Sequence, residues 1–406
     1  MGHNRINRRD FIGKAAAGLF STSFALPFLK AHSTDRDQSQ KIVYRTLGRT
    51  KLRLPVVSFG VMNSDNPDLI KEALDRGINH LDTAYLYLRG NSERVIGEVL
   101  ERTGNRDKVY VATKMRFARD TEKGVFSLKG SGREPAATEE NLIKQLEISL
   151  GRLRTDYVDI LYLHSCYSPQ MATYEPLMNA LVKVKKAGKA RFIGVSTHRD
   201  EPNVIRAAVD AGVYDVVLTA YNFVLERREQ IKEAIQYAAE KDVGVVAMKT
   251  QGGRRLQEEG KVEVNHQAAL KWVLNDENVC TTIPGMTTFD QLHLNLKVMS
   301  DFSLSEGEKR ELQLASMLKG IFYCQNCRSC ISTCPHKVEI PTLMRAYMYA
   351  QGYGNLIQAN ITTAALSPKK GLNICQDCSS CIATCRNGIN IHSRLKHLLA
   401  EKLYQG

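Results

Sequence analysis

Short apolar strands alternate with amphipathic helices eight times between about residues 41 and 299, and this repetition constrains the fold more than any other feature. Near-continuous apolar strands flanked by helices are typical of a parallel sheet that is buried on both faces. Eight such units in about 260 residues predict a (β/α)8 barrel. The predicted strands are Val56–Gly60, Asn79–Ala84, Val109–Lys114, Val158–His164, Phe192–Ser196, Val216–Tyr221, Gly244–Lys249 and Thr281–Gly285.

An open, doubly wound sheet is the alternative arrangement of the same units. It would place a glycine-rich dinucleotide turn after the first strand, and residues 60–63, Gly-Val-Met-Asn, do not form one.

The segment Arg116–Pro135 is rich in Gly, Lys and Arg and is predicted to be an enlarged loop after the third strand. Because such loops surround the active site of a barrel, this one is a candidate substrate lid.

Four polar residues stand at or near the ends of consecutive predicted strands, where barrel enzymes carry their catalytic groups. They are Asp82, Tyr87, Lys114 and His164. A lysine ammonium lowers the pKa of a neighbouring tyrosine, a carboxylate holds the lysine, and a histidine can orient a carbonyl oxygen. Each residue alone also suits a structural role. Together they predict proton donation to an oxygen while a hydride arrives at its carbon.

The chain resembles the aldo-keto reductases over about residues 42–300, in several short runs that follow one another in a specific order. These runs are residues 81–87, 90–97, 109–114, 156–164, 193–196, 221–222 and 283–285. The resemblance implies a (β/α)8 barrel that uses NADPH on a small carbonyl or alcohol substrate. It also implies that Tyr87 is the proton donor, that Lys114 and Asp82 tune it, and that His164 orients the carbonyl.

The sequence departs from this family at the positions expected to bind the nucleotide. Leu218 stands where a glutamine is usual, Met248 replaces a stacking aromatic residue, and Gly285-Met286 and Gln291 replace the lysine and arginine that grip the 2′-phosphate. Losing those cations removes charge-assisted contacts to phosphate, so NADP, NAD, or weak or absent nucleotide binding all remain open. The candidate cofactor-binding residues are Ser196, Asn222, Lys249, Gly285, Gln291 and Asn295.

Eight of the ten cysteines lie in two C-x2-C-x2-C-x3-C runs near the C-terminus. Two such runs are typical of a protein with two [4Fe–4S] clusters, in which the fourth cysteine of each run binds the other cluster. One predicted ligand set is Cys324, Cys327, Cys330 and Cys385, and the other is Cys375, Cys378, Cys381 and Cys334. Zinc is the alternative, although zinc ligands usually come as two separated pairs.

The segments around these cysteines are predicted to be mostly helical. Residues 340–366 and 393–404 have helical spacing, with Met344, Tyr347 and Met348 on one stripe of the first. This pattern favours a helical ferredoxin-like domain over a compact β-hairpin ferredoxin. Two clusters so close in sequence are expected to act either as a short electron-transfer chain or as structural groups.

The N-terminus resembles a twin-arginine export signal. Residues 7–14 read Asn-Arg-Arg-Asp-Phe-Ile-Gly-Lys and precede a weakly apolar run from Ala15 to Leu29. A surface helix with a chance Arg-Arg pair is the alternative. That export machinery carries folded, cofactor-loaded proteins, so we expect the protein in the periplasm or on the outer face of the cytoplasmic membrane, with an uncleaved anchor still possible.

Charge adds little to the functional prediction. The formal net charge is +13, but no aromatic-interleaved basic patch or groove-reading motif accompanies it, so nucleic acid is not an expected partner. The predicted organisation is residues 1–40 as signal and linker, 41–315 as barrel and 316–406 as iron–sulfur domain.

Two functional hypotheses follow. The first is an exported iron–sulfur oxidoreductase of aldo-keto reductase type, whose clusters exchange electrons with a redox partner protein. The second is an electron-transfer or binding protein whose barrel no longer turns over a substrate.

Overall fold

The computed structural model describes residues 41–120, 123–131, 134–252, 264–317, 324–378 and 380–403. Residues Lys41–Gly406 form one compact unit. The predicted export signal at residues 1–40 lies outside the described residues. None of the described helices combines the length and apolar character needed to cross a membrane.

Eight parallel strands form a nearly closed barrel, which confirms the predicted (β/α)8 architecture. Neighbouring strands follow chain order, and two isolated bridges, Val57 with Thr282 and Gly60 with Gly285, join the first strand to the last. The barrel strands are β3 (Phe59–Gly60), β4 (His80–Asp82), β5 (Tyr110–Met115), β8 (Val158–Leu163), β9 (Ala190–Thr197), β10 (Val216–Ala220), β11 (Gly244–Met248) and β12 (Thr281–Thr282).

The first and last barrel strands are shorter than predicted. Only Phe59–Gly60 and Thr281–Thr282 keep regular ladder geometry. Pro284 has no N–H to donate to a ladder, so regular pairing stops before it. At this closure a β-carbon on Gly60 would lie 2.6 Å from the carbonyl oxygen of Ile283, so only glycine fits there.

A short hairpin of β1 (Tyr44–Thr46) and β2 (Arg53–Pro55) precedes the barrel. Its side chains Leu47, Leu52 and Leu54 are buried in one cluster with inward-facing barrel residues such as Ile160 and Leu218. The hairpin therefore closes the end of the barrel at which the strands begin, and it leaves the other end for the active site.

The predicted enlarged loop at residues 116–135 contains a second small hairpin, β6 (Arg119–Asp120) with β7 (Val125–Phe126). The ring of Phe126 meets that of Phe117 edge to face, with centroids 6.1 Å apart. Glu134, which is 3% exposed, accepts hydrogen bonds from Arg116 and Arg119. The loop is thus held together by buried contacts among its own residues.

Helices cover the barrel and make up most of the C-terminal segment. Amphipathic spacing explains their packing: Leu69, Ile70 and Ala73 of the first helix are buried, while the side-chain oxygen of Asn66 caps its start by accepting from the Asp68 and Leu69 N–H groups. The α-helices are Pro67–Asp75, Asn91–Thr103, Glu139–Leu153, Pro169–Ala172, Glu175–Lys186, Glu201–Asp210, Arg228–Glu240, His266–Leu274, Phe289–Leu296, Glu306–Met317, Ser329–Thr333, Ile340–Tyr347, Leu356–Ala364 and Ile391–Ala400.

The C-terminal segment, residues 324–403, contains no strand among its described residues. The single helix predicted over residues 340–366 is instead two helices, joined by a π-helical turn at Met348–Gly352 and a bend with Gly354 at φ 64°. The last helix begins at Ile391 rather than Ser393, because the side chain of Asn390 caps it.

This segment packs on the barrel loops at the C-terminal ends of the strands. Gln325 accepts a hydrogen bond from the Glu226 N–H at 3.1 Å and donates one to the Val224 carbonyl at 3.2 Å. The Arg345 guanidinium donates to the Tyr167 hydroxyl at 3.2 Å. The catalytic end of the barrel is therefore partly covered by the cysteine-bearing segment.

Candidate active site

Lys114 and Asp82 form a buried ion pair at the base of the site. Lys114 lies in β5 and is 1% exposed; its Nζ donates to Oδ1 of Asp82 and, at 2.6 Å, to the carbonyl of Thr83. Asp82 ends β4, where it pairs in register with Ala112. The lysine two residues further along β5 therefore reaches the carboxylate from the neighbouring strand.

Tyr87 and His164 complete the predicted group. Their rings meet edge to face with centroids 5.8 Å apart, and Nζ of Lys114 lies 5.2 Å from the centroid of the Tyr87 ring. His164 directly follows β8, and Tyr87 follows β4 by a short loop. The topology thus brings together all four side chains that the sequence places near strand ends.

Burial decides the protonation of these groups. It raises the pKa of Tyr87 well above its ordinary value, and the charge of Asp82 adds to the rise. The net direction is a rise, although a neighbouring Lys114 is predicted to lower this pKa, because the phenolate loses more hydration than nearby cations restore. Burial also lowers the pKa of His164 well below its ordinary value, with Arg116 and Lys114 adding to the fall. Tyr87 is a neutral phenol with a proton to donate, and His164 is a neutral imidazole.

The same burial acts on the ion pair. It raises the pKa of Asp82 and lowers that of Lys114, while their mutual attraction opposes both shifts. Oδ2 of Asp82 has no hydrogen-bond partner among the described residues, so the pair holds one unused acceptor.

A strained turn presents Tyr87 to the site. Leu88 and Arg89 adopt left-handed φ values of 49° and 57°, which side chains with a β-carbon rarely do. Gly90 follows with φ 86°, a value at which glycine carries no penalty. Strain of this kind persists only where surrounding contacts hold it, and it concentrates at functional sites.

Arg152 and Glu93 supply those contacts. Nη1 of Arg152 donates to the Tyr85 carbonyl at 2.8 Å and to Oε2 of Glu93 at 3.0 Å. Glu93 is fully buried and also accepts from the Thr113 hydroxyl at 2.7 Å. The loop that carries Tyr87 is therefore fixed to the strand that carries Lys114.

A cavity of about 440 Å³ opens above these side chains. Asp82, Tyr87 and His164 form one part of its wall. Three other lining residues come from the C-terminal segment: Tyr349, Tyr353 and Gln358. Sequence reasoning missed this contribution, because an apolar stripe on a helix indicates burial without identifying the surface that buries it.

Comparison with known proteins shows which family the chain belongs to. The model of the "Aldo/keto reductase family" matches residues 60–264, a span that contains all four side chains. The chain belongs to the aldo-keto reductase family. The match ends before the cysteine-bearing segment.

Individual proteins are similar to a large part of the chain. Aldo-keto reductase AFTS1 of Alternaria alternata is 28% identical in an alignment of 250 residues, gaps included, that covers 54% of this chain and 68% of that protein. L-galactose dehydrogenase of Arabidopsis thaliana is 27% identical in an alignment of 301 residues that covers 64% of this chain and 89% of that protein. The holo form of aldo-keto reductase AKR11C1 from Bacillus halodurans superposes with a TM-score of 0.54 at 25% identity, covering 67% of this chain and 96% of that one.

The residues predicted to bind a nucleotide divide into two groups in this aldo-keto reductase. Four of them line the cavity: Lys249, Gly285, Gln291 and Asn295. The other two are engaged with backbone groups instead. Oγ of Ser196 accepts from the Ser165 N–H at 2.9 Å, and Nδ2 of Asn222 donates to the Lys249 carbonyl at 2.9 Å. Among the described residues, the cavity wall does not include Ser196 or Asn222.

The eight clustered cysteines surround two further cavities in the C-terminal segment. The first is lined by Cys324, Cys327, Cys330 and Cys385. The second is lined by Cys334, Cys375, Cys378 and Cys381. Each cavity thus takes three cysteines from one run and the last cysteine of the other run.

Burial and mutual repulsion disfavour thiolates in these groups. Burial raises the pKa of Cys330 to about 12, and Cys324, Cys327 and Cys385 add to the rise. Burial also raises the pKa of Cys375 to about 12. Neighbouring thiols of this kind would gain from a bound cationic group, which stabilises the thiolate form.

Among the described residues, no three His, Cys, Asp or Glu side chains are grouped so that they could hold a metal ion. A single zinc ion needs every sulfur about 2.3 Å from one centre. A four-iron cluster binds each thiolate at a different iron, so its ligands stand further apart.

Proposed function

We propose that this aldo-keto reductase reduces a small carbonyl compound to an alcohol, or catalyses the reverse oxidation, with Tyr87 as proton donor. The observation that carries the proposal is the shared cavity wall: Asp82, Tyr87 and His164 line one space, and Asp82 is paired with Lys114. The family as a whole supports the reaction class.

The residues divide the proton chemistry among them. A substrate carbonyl oxygen that lies against Tyr87 and His164 receives hydrogen bonds from the phenol and the imidazole. As the carbonyl carbon gains a hydride, its oxygen becomes an alkoxide, and the Tyr87 hydroxyl transfers its proton to that oxygen. Lys114 limits the cost of the resulting phenolate, because its ammonium lies 5.2 Å from the ring centroid and Asp82 fixes it there.

A nicotinamide nucleotide, NAD or NADP, is the proposed hydride source. Thr250, Gln251, Gln291 and Asn295 line the cavity beyond the catalytic group and offer uncharged hydrogen-bonding side chains to it. Among the described residues on this wall, Arg116 and Lys249 are the only arginine and lysine. This composition supports NAD more than NADP, since a 2′-phosphate calls for charge-assisted contacts.

Titration with NADH and NADPH, followed by nicotinamide fluorescence, tests this part of the proposal. We expect saturable binding of NADH, and turnover of a test aldehyde that Tyr87→Phe reduces by about 100-fold or more. Tyr85→Phe is the matched control, because it removes a phenol hydroxyl from the same loop at a position outside the cavity wall. Absence of binding by either nucleotide would refute hydride transfer from a nicotinamide. Unchanged turnover in Tyr87→Phe would refute its role as proton donor.

We further propose that the C-terminal segment holds two [4Fe–4S] clusters. Cys324, Cys327, Cys330 and Cys385 would bind one, and Cys334, Cys375, Cys378 and Cys381 the other. Such clusters supply one-electron transfer. The spacing of the runs and the crossed grouping around two cavities support the assignment.

Anaerobic purification followed by iron and acid-labile sulfide analysis tests the clusters. About eight iron and eight sulfide per chain are expected. Zinc without sulfide would replace the proposal by a zinc-binding segment.

We also propose export by the twin-arginine route to the periplasm or the outer face of the cytoplasmic membrane, where a redox partner protein would exchange electrons with the clusters. The Arg8-Arg9 pair and the apolar run after it support this. Replacing both arginines by lysine should retain the protein in the cytoplasm. Unchanged fractionation of that variant would contradict the route.

An electron-transfer protein with an inactive barrel is the second candidate function. The observation that favours it is the engagement of Ser196 and Asn222 with backbone groups rather than the cavity. The nucleotide titration separates the two functions.

A further inference from the structure

The active-site cavity contains a lysine that proton transfer does not use. Lys249 directly follows β11 and has a left-handed φ of 55°. Its carbonyl accepts hydrogen bonds from Nδ2 of Asn222 at 2.9 Å and from the Gly252 N–H at 3.2 Å. These bonds hold a conformation that is unfavourable for a residue with a β-carbon, and they aim the side chain into the cavity wall.

The ammonium of Lys249 has no counter-charge of its own among the described residues. Glu201 is the one carboxylate that acts on its pKa, and both oxygens of Glu201 already accept from Arg227, at 2.5 and 2.9 Å. The nearest aromatic contact is the Tyr349 ring, whose centroid lies 5.7 Å from Nζ. Burial and the charge of Arg345 lower the pKa of Lys249 well below its ordinary value. The half-buried Lys249 ammonium therefore gains from any anion that enters the cavity.

The rest of the described cavity wall is also short of negative charge. Its single carboxylate is Asp82, which is already paired with Lys114. Arg116 adds a second cation to the wall, although Glu134 partly neutralises it. The positive charge near the wall also acts on His198. Burial, Arg345 and Lys249 lower the pKa of His198 well below its ordinary value.

The C-terminal segment supplies an apolar surface next to this charge. The rings of Tyr349 and Tyr353 lie with centroids 6.0 Å apart, and both line the cavity. Met62 and Met248 line it from the barrel. A flat or short apolar body with one anionic end therefore matches the wall better than a neutral polar molecule.

We infer that the carbonyl substrate carries a carboxylate, which Lys249 binds while Tyr87 and His164 hold the carbonyl oxygen. This inference rests on the proposed carbonyl reduction. The phosphates of a nucleotide are a second source of the same anionic chemistry, and the experiment must separate the two.

A matched pair of aldehydes and one dead-end ligand provide the test. The pair is 4-carboxybenzaldehyde and its neutral methyl ester, methyl 4-formylbenzoate, and the dead-end ligand is benzoate. The variant is Lys249→Met, with Lys249→Arg to restore the charge and the exposed Lys297→Met as control. The melting temperature of each variant shows that it folds.

In Lys249→Met, we expect kcat/KM for the acid to fall about tenfold or more, while that for the ester changes less than about twofold. The affinity for NADH should stay the same, and Lys249→Arg should recover most of the activity on the acid. A loss of NADH affinity in Lys249→Met, or an equal loss on acid and ester, would overturn the inference.

Benzoate binding, measured as stabilisation against thermal unfolding, does not require turnover. If neither aldehyde reacts but benzoate stabilises the wild type and not Lys249→Met, the carboxylate site stands and the reductase proposal fails. If benzoate stabilises both proteins equally or neither, the carboxylate site is refuted whatever the activity.

Discussion

The side-chain amide of Asn355 donates a hydrogen bond of 2.6 Å to Oδ1 of Asn63. This bond joins the cysteine-bearing segment to the loop after the first barrel strand, and Asn63 itself lines the active-site cavity. The other end of the Asn355 side chain caps a helix, because its Oδ1 accepts from the Gln358 N–H at 2.8 Å. One residue thus fixes the start of the helix that carries Gln358 into the cavity wall.

Replacing Asn355 by alanine should loosen that wall. We expect a loss of about 1–2 kcal/mol in the free energy of unfolding, since a helix cap and a buried hydrogen bond disappear together. The KM for an aldehyde should rise roughly fivefold, corresponding to about 1 kcal/mol of binding free energy. Urea unfolding and steady-state kinetics measure both. Gln351→Ala, at an exposed position of the same segment, is the control, and equal effects in the two variants would contradict the role of Asn355.

Glu93 provides a second prediction, because it links the Tyr87 loop to β5. Glu93→Gln removes the charge that the Arg152 guanidinium neutralises in a buried site. Unfolding free energy should fall by about 1–3 kcal/mol, and kcat should fall because the Tyr87 turn is held less firmly. Glu98→Gln, at an exposed position of the same helix, should leave both quantities unchanged. A Glu93→Gln protein with unchanged stability and full kcat would show that the Tyr87 turn keeps its conformation without the charge of Glu93.

Tyr167 provides a pH-dependent prediction. Arg119, Arg345 and Arg116 outweigh burial and lower its pKa from 10.0 to about 8. The folded protein therefore releases this proton before the unfolded chain does, so Tyr167 adds stability as the pH rises from about 8 to 10. Ultraviolet difference absorbance should detect one phenolate forming near pH 8, and Tyr167→Phe should abolish it.

Replacing Arg345 tests whether the C-terminal segment contributes to the lowered pKa of Tyr167. Its guanidinium donates to the Tyr167 hydroxyl at 3.2 Å, so Arg345→Met should move the titration to higher pH. Arg386, which pairs with Glu226 elsewhere on the same interface, is the matched control. A titration unmoved in Arg345→Met, or moved equally in Arg386→Met, would contradict the contact.

The barrel could be predicted from the sequence because its signals are local. Each apolar strand and each amphipathic helix is read within a short window, and parallel topology then brings Asp82, Lys114 and His164 to one end of the barrel. The four-residue group follows from strand ends alone. Its electrostatics do not, because the pKa of Tyr87 depends on burial contributed by distant parts of the chain.

The cavity wall could not be predicted for a related reason. The stripe with Met344 and Met348 indicates that one face of a helix is buried, but the surface that buries it is set by tertiary packing. The roles of Ser196 and Asn222 were also beyond reach, since their partners are backbone groups of other strand ends. Both the cavity wall and the contacts of Ser196 and Asn222 arise only when residues far apart in sequence come together in the folded chain.

The crossed grouping of cysteines gives the last prediction. Cys385 lies in the second run but lines the cavity of Cys324, and Cys334 lies in the first run but lines the cavity of Cys375. If the crossed grouping holds clusters, Cys385→Ser and Cys324→Ser should weaken the same paramagnetic signal of the reduced protein. Cys385→Ser and Cys381→Ser, although from one run, should weaken different signals.

Iron and sulfide analysis completes this test, since each single variant should keep roughly half of its iron when one site is lost and the other survives. Cys280→Ser is the control, because Cys280 is buried near Arg45 and outside both cavities. Ligation within each run would reverse the pairing, so that Cys385→Ser would match Cys381→Ser. That outcome would contradict the packing of the C-terminal segment, because residue 385 would then have to leave the wall that it shares with residue 324.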